Sequence, residues 1–395
     1  MIGLSGGIDS TYAAFVLKNR GYDVLGVHFR LCPFSSTEEG HQARLLFSLL
    51  GTPIDYAPSN EQEHGLVKSA EMMGFEVVFA DVGQRFRRLV LEPFLEEYKR
   101  GRTPNPCVVC NKKVKFAGLL DLAGQLGAAF YATGHYARVV RHPLSGTFVV
   151  RRALDSEKDQ SYFLCQVPSS DLARALMPLG EMRKDDVRAE VFKQGLCEPS
   201  LKPSQDLCFA GAKNYASVFK SFGYEPQPGP IVDVERGQVG HHNGILNFTI
   251  GQRRGLSVAL GRPKYVLRID PATNTVFVGD KEHVYASEFY ASNVVWADGL
   301  APKGPVYLQT KIRYKHEAER ARITPIDGDD TKVNVHFDHA QPSITPGQAA
   351  AFYDGDYVVG AGWIEKVIPR ELPQPPLWSA AARRRFLWRW LDTTF

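Results

Sequence analysis

The chain has 395 residues, 44% apolar and 23% charged, with a formal net charge of +4. These values exclude a disordered or collagen-like chain and suit two or three folded domains. The small basic excess permits a nucleic-acid partner through local patches but does not demand one. No apolar run approaches the roughly 20 residues that cross a bilayer, and no signal-like segment precedes the first motif. A cytoplasmic protein with reduced thiols and no membrane partner is expected.

Ile2-Gly3-Leu4 reads as the end of a buried strand with only Met1 ahead of it. A glycine-rich loop follows, Ser5-Gly6-Gly7-Ile8-Asp9-Ser10, and then apolar residues at helical spacing from Thr11 to Asn19, with Gly21 as the stop. Asp23 to Phe29 reads as a second strand, completing a βαβ unit and implying a parallel sheet. The pattern recurs with a strand at Phe75–Val82, helices near Arg85–Lys99 and Lys112–Leu126, and a strand at Ala129–Ala132. Ligands on such sheets bind beyond the carboxyl ends of the strands, where Ser5 and Gly134 lie. Residues 33–63 give no clear pattern.

After about residue 200, Gly and Pro punctuate short segments, and from about Phe289 the chain alternates as strands do. The expected organisation is α/β: an N-terminal parallel-sheet domain (1–200), a small β-rich central domain (201–285), a C-terminal β-barrel (286–368) and a tail (369–395). The tail's Arg383-Arg384-Arg385-Phe386-Leu387-Trp388 suits either a docked terminal helix or an aromatic, basic arm for RNA.

In the Ser5–Ser10 loop, Gly6 and Gly7 let the backbone N–H groups approach an anion closely. The helix that follows adds the positive end of its dipole, and Ser5 and Ser10 add hydroxyls. Asp9 would repel phosphate by itself, so it faces Mg²⁺ or caps the helix. The Gly-Lys-Ser/Thr of a Walker A loop is missing, which argues against a kinase or ordinary NTPase. A plain glycine turn with a polar cap would also fit these six residues.

Of the six cysteines, Cys107 and Cys110 form a C-x-x-C motif after Thr103-Pro104-Asn105-Pro106, and Cys208 follows Asp206-Leu207. A helix start near Asn111 and the neighbouring Lys112, Lys113 and Lys115 predict a lowered thiol pKa. Three readings compete. A zinc half-site lacks a second ligand pair at metal spacing. Burial as small apolar residues suits Cys32, Cys165 and Cys197 better. The third reading is sulfur transfer.

The loop Ser5–Ser10 resembles that of the ATP-pyrophosphatase (PP-loop) superfamily, of the adenine nucleotide alpha-hydrolase-like fold. Thr103–Asn111, Lys115-Phe116, Ala132-Thr133-Gly134-His135-Tyr136, Lys158-Asp159-Gln160-Ser161-Tyr162-Phe163-Leu164, Asp206–Phe209, Pro228-Gly229, Thr249–Leu256, Arg313-Tyr314 and Pro346-Gly347-Gln348 resemble, in order, the tRNA-specific 2-thiouridylase family (MnmA). The resemblance runs to about residue 367 and leaves out the tail.

It implies an ATP- and Mg²⁺-dependent enzyme that thiolates the wobble uridine, U34, of tRNAs such as those for Lys, Glu and Gln. It implies that Gly3, Leu4, Ser5, Gly6, Gly7, Ile8, Asp9, Ser10, Phe29 and Gly134 hold ATP, with Asp9 the residue toward Mg²⁺. Uridine O2 would be adenylated. Cys208 would carry a persulfide supplied by a cysteine desulfurase or sulfur-relay protein, Cys110 would act as nucleophile, and the two would end as a disulfide. Asn105, Pro106 and Cys107 would face the target base. His135, Lys158, Asp159, Gln160, Arg313, Tyr314 and Gln348 would face the tRNA.

One position departs from the pattern: many family members carry Asp where this chain has Cys107. The substitution puts a general acid or base in doubt. It also makes a three-thiolate set, Cys107, Cys110 and Cys208, that suits a [4Fe–4S] cluster with one open iron, an alternative sulfur carrier. Two further alternatives are a PP-loop ligase acting on a small metabolite, and an RNA-binding protein without catalysis.

Overall fold

The strand ahead of the glycine loop is short but central. β1 (Ile2–Gly3) pairs in parallel with β2 (Leu25–Arg30) on one side and β6 (Tyr131–Ala132) on the other, and Ile2 is completely buried. The structure is a computed structural model that describes residues 1–31, 46–47, 53–55, 58, 60–196, 208–209, 218–220, 222–256, 258 and 261–368. Most of residues 33–63, Cys32, Cys197, Asp206 and the tail from 369 lie outside the described residues.

β3 (Leu46–Phe47), β4 (Pro53–Asp55) and β5 (Glu76–Asp81) extend the sheet beyond β2, and β9 (Ala175–Leu176) extends it beyond β6, giving the order β3-β4-β5-β2-β1-β6-β9. The inner pairs are parallel, and β3 and β4 form an antiparallel edge. Helix α1 (Ile8–Asn19) starts three residues earlier than the apolar spacing predicted and buries Ala13, Ala14, Val16 and Leu17. Gly21, at φ +82°, ends it, a conformation that favours glycine.

The second unit holds β10 (Gly229–Asp233), β11 (Gly237–His242), β12 (Tyr265–Asp270) and β13 (Thr275–Gly279), in the order β11-β10-β13-β12. Its core of Phe219, Ile231, Leu246, Val266, Val276 and Val278 also takes in Phe94, Leu95 and Tyr98 from the first unit. Lys264, almost wholly buried, lies 2.6 Å from Asp233 and 3.0 Å from Asp280.

The third unit is a closed six-stranded antiparallel barrel. β14 (Tyr285–Trp296), β17 (Asp329–Pro342), β16 (Glu319–Ile326), β15 (Val306–Lys311), β18 (Ala349–Asp354) and β19 (Tyr357–Ile368) follow one another around it, and β14 pairs with β19 to close it. Closure removes the exposed strand edges. A hairpin from the first unit, β7 (Arg138–Arg141) and β8 (Phe148–Arg151), adds to β19 through Tyr357 and Arg151.

First unit and barrel share one core. Tyr162 and Leu164 pack with Ala349, Ala351, Tyr353 and Ala361. The Tyr162 hydroxyl donates to the Ala349 carbonyl at 2.9 Å, and the Gln166 amide to the Ala361 carbonyl at 2.7 Å. Burying a large side chain such as Tyr162 contributes roughly 1.5–3 kcal/mol, so the barrel is held against the parallel sheet by apolar packing as well as by hydrogen bonds.

Candidate active site

The phosphate loop leaves β1 and enters α1 through Gly6, at φ +78°, and Gly7, the helix N-cap residue. Ser10 organises the loop from inside. Its Oγ donates to the Gly7 carbonyl at 3.1 Å and accepts from the Ser5 N–H at 3.1 Å. No side chain caps the first turn of α1, so its leading N–H groups remain available to an anion. Asp9 is therefore not the helix cap, one of the two roles expected for it. Gly6 has a further constraint: a Cβ there would meet Gln62 Nε2 at 2.9 Å, and that amide donates to the Ser5 carbonyl at 3.3 Å.

Gly134 lies just past the carboxyl end of β6. A Cβ there would come within 2.9 Å of the Asp9 carbonyl carbon and the Ser10 Cα, so glycine lets this turn close against the loop. Phe29, near the end of β2, packs its ring on Gly118, 3.1 Å from a Cβ built there. The Asp9 carboxylate accepts from the Tyr136 hydroxyl at 3.0 Å and pairs with Lys184. Sequence reading missed Lys184 and Gln62, and no signal pointed to them, because each comes from a distant helix.

Uncapped helical N–H groups and a glycine bend fit a phosphate chain, and Asp9, the one carboxylate on the loop, fits a Mg²⁺ that keeps most of its other ligands as water and phosphate oxygen. These residues would hold ATP–Mg²⁺, which would supply activating phosphoryl chemistry when bound.

The cysteine motif lies at the same edge of the sheet. Cys110 packs with Val82, which follows β5, and with Phe29 of β2. Its helix begins at Pro106, not near Asn111. Asn105 is the N-cap, its Oδ1 accepting from the Val108 N–H at 3.3 Å, and Pro106 takes the first helical position. Cys107 is thus in the first turn, while Cys110 is buried at the end of Pro106–Cys110, where a π turn (Asn111–Phe116) continues the helix into Ala117–Gln125. A π turn adds a residue to the helical turn and re-aims its side chains.

The expected lowering of the thiol pKa is not found. Burial pushes Cys107 up to about 11 and Cys110 up to about 12, and Lys115 on the π turn opposes this only in part. Cys208 is exposed, yet protein crowding its flank raises its thiol too, again against Lys115. Of the three lysines, Lys112 turns to Gln166 at 3.1 Å and Lys113 is exposed, so Lys115 alone acts on all three thiols. Cys208 in turn acts on Cys107 and Cys110, and its neighbour Phe209 packs on Phe86 and Phe94. Cys107, Cys110, Cys165 and Cys208 are free, so no disulfide is formed among them. Cys165 is buried, as expected.

Residues 1–212 match the family described as tRNA methyl transferase HUP domain, 221–280 the tRNA methyl transferase PRC-barrel domain, and 286–364 the aminomethyltransferase beta-barrel domain. The tRNA-specific 2-thiouridylase MnmA of Roseiflexus castenholzii is 39% identical over 93% of this chain and 99% of that protein. MnmA 1 of Caldanaerobacter subterraneus is 37% identical over 93% and 98%.

The chain belongs to the tRNA-specific 2-thiouridylase MnmA family.

A solved structure, the U34-tRNA thiolase NcsA from Methanococcus maripaludis with its [4Fe-4S] cluster, matches with a TM-score of 0.30 at 19% identity, over 53% of this chain and 60% of that one. That likeness is too slight to carry an argument. Among the described residues no group of three or more His, Cys, Asp or Glu side chains is gathered to hold a metal ion. Cys107, Cys110 and Cys208 as placed do not fit a cluster.

The residues that the MnmA resemblance set toward base and tRNA fall into two groups. Several are structural in this conformation. The Asn105 amide lies 3.4 Å from the Tyr162 hydroxyl and 3.5 Å from Gln348 Oε1. Asp159 is buried and accepts from the Ala153 N–H, the Ser161 N–H and the Ser161 hydroxyl at 2.9, 3.2 and 2.7 Å. Gln160 accepts from the Tyr136 N–H at 2.8 Å. Arg313 donates to the Pro342 carbonyl at 2.8 Å. His135 bonds Thr133 Oγ1 at 2.9 Å through Nδ1, and burial followed by Lys115 pushes its imidazolium down to about 3.

Lys158 is exposed, and Tyr314, half-buried, stacks on Phe163 with ring centres 4.5 Å apart. No described helix is long and apolar enough to cross a membrane.

Proposed function

We propose that this protein is an ATP-dependent tRNA sulfurtransferase that converts the wobble uridine, U34, to 2-thiouridine in the cytoplasm. The observation that supports it most is a single edge of the parallel sheet carrying both parts of the chemistry. The phosphate loop follows β1, and Cys110 packs beside the carboxyl ends of β2 and β5. Family membership adds the substrate class.

In this reading, uridine O2 attacks the α-phosphorus of ATP and pyrophosphate leaves. The N–H groups of α1 and the loop hold the phosphates, and Asp9 faces Mg²⁺. The base lies against Asn105, Pro106 and Cys107. The terminal sulfur of a Cys208 persulfide, loaded by a cysteine desulfurase or relay protein, bonds to C2. Cys110, as thiolate, attacks Cys208 Sγ and breaks the S–S bond, forming a Cys110–Cys208 disulfide. AMP departs with O2, and a thiol reductant restores the pair. Lys115 supplies the positive charge near the thiolate, and desolvation by the bound base strengthens that interaction. Lys158, exposed, and Tyr314, half-buried against Phe163, are offered as tRNA contacts.

The test incubates unmodified tRNA with ATP–Mg²⁺, cysteine and a cysteine desulfurase, then digests the RNA and looks for 2-thiouridine by mass spectrometry. Product that needs ATP and disappears in Cys208→Ser is the expected result. AMP formation on a small metabolite without tRNA, unaffected by Cys208→Ser, would instead favour a ligase of the same superfamily.

A further inference from the structure

We infer that Lys184 is a nucleotide-site residue, held by Asp9 in the nucleotide-free protein and handed to the phosphates when ATP–Mg²⁺ enters. The inference rests on the ATP reading above and deepens it.

Lys184 opens the helix Lys184–Lys193. Its own N–H donates to Asp155 Oδ2 at 2.9 Å, fixing the helix start. From there the side chain reaches across to α1 and pairs with Asp9 Oδ1, the oxygen that also accepts from the Tyr136 hydroxyl at 3.0 Å. The ammonium lies 5.4 Å from the Tyr136 ring centre, within cation–π range. Three elements far apart in sequence thus aim a cation, a hydroxyl and a carboxylate at one point in the first turn of α1.

A plain staple between two helices contributes little to stability and needs no third partner. A phosphate loop has a different need. Its only carboxylate repels the anion that its N–H groups attract, and the repulsion persists until a cation intervenes. Lys184 neutralises Asp9 at rest. Asp9 Oδ2 has no protein partner among the described residues and is the natural oxygen for Mg²⁺. Once Mg²⁺ engages the carboxylate, the pair with Lys184 weakens and the ammonium is free for a phosphate oxygen within reach of the same turn.

The experiment measures binding to the full chain by titration calorimetry, for wild type, Lys184→Met, Lys184→Arg and Asp9→Asn. The ligands are ATP–Mg²⁺, adenosine and Mg²⁺-free pyrophosphate. Lys184→Met is expected to weaken ATP–Mg²⁺ by about 10- to 100-fold, the loss of one charge-assisted contact, with adenosine unchanged. Lys184→Arg recovers most of that loss. Asp9→Asn, which frees Lys184, binds Mg²⁺-free pyrophosphate several-fold more tightly than wild type. Wild-type affinity for ATP–Mg²⁺ in Lys184→Met, or equal losses for ATP and adenosine with a lowered Tm, would reduce Lys184 to a staple and overturn the inference. Wild type that binds no ATP at all would overturn the ATP reading itself, a different result from either.

Discussion

Gln348, on the approach to barrel strand β18, donates its side-chain amide to the backbone carbonyl of Thr103 at 2.9 Å and lies 3.2 Å from that of Pro104. The chain reinforces the contact on both sides. The Thr103 N–H donates to the Pro346 carbonyl at 2.9 Å, and a Cβ on Gly347, at φ +92°, would stand 3.0 Å from the Thr103 carbonyl oxygen. The barrel therefore grips the loop that presents Asn105, Pro106 and Cys107. Gln348→Leu is expected to lower thiolation about tenfold, equivalent to about 1.4 kcal/mol, with ATP affinity unchanged. Parallel thiolation assays and calorimetry would check it; an equal fall in ATP affinity would mean that the grip serves the whole site.

The raised thiols make a pH prediction. A group whose folded pKa lies above its unfolded value gives stability that is complete below the unfolded value, about 8.5 for a thiol, and fades as pH rises through the folded value. Cys107 at about 11 and Cys110 at about 12 place that loss above about pH 8.5. In the resting protein, alkylation of Cys110 by iodoacetamide should be slow at pH 7 and still climbing at pH 10, read by peptide mass spectrometry. A plateau near pH 7 would show a thiolate that this environment does not predict.

Lys115 is the cation opposing burial at Cys107, Cys110 and Cys208. Lys115→Met should slow thiolation about tenfold, the equivalent of one pKa unit at the attacking thiol, and move the pH–rate profile to higher pH. Lys115→Arg should restore most of the rate. An unshifted profile would assign Lys115 to the surface.

Lys264 stands 2.6 Å from Asp233, whose side chain is completely buried. Removing one partner of such a pair typically costs about 3–5 kcal/mol, because the other charge is left uncompensated. Lys264→Met should therefore lower the denaturant midpoint of the second unit sharply. A loss below about 1 kcal/mol would mean that water, or Arg262, which already pairs with Asp280 at 2.7 Å, replaces the lysine.

Asp159 accepts three hydrogen bonds inside the 153–161 turn. An amide has one oxygen where the carboxylate has two, so Asp159→Asn leaves donors unpaired and should cost about 1–3 kcal/mol. Chemical denaturation gives the number, and full stability with weakened tRNA binding would point to an RNA contact instead.

Much of this was legible in one dimension. The βαβ order, the glycine loop and the C-x-x-C motif are local patterns, and local patterns reflect short-range physics: the spacing of apolar residues, the freedom of glycine, the cap at a helix start. Even there an edge moved. The cysteine helix begins at Pro106, where Asn105 caps it, and not near Asn111 as expected.

The amino-acid sequence by itself determined the parallel sheet, the barrel and the residue types of the site, since each rests on periodicity or on a contiguous motif. Tertiary structure alone decided the charges. Burial depends on what the rest of the chain brings to a side chain, so it raised thiols that their neighbours in sequence were expected to lower. Asp9 and Lys184, 175 residues apart, meet only because α1 and the Lys184 helix pack together, and no spacing along the chain encodes that meeting.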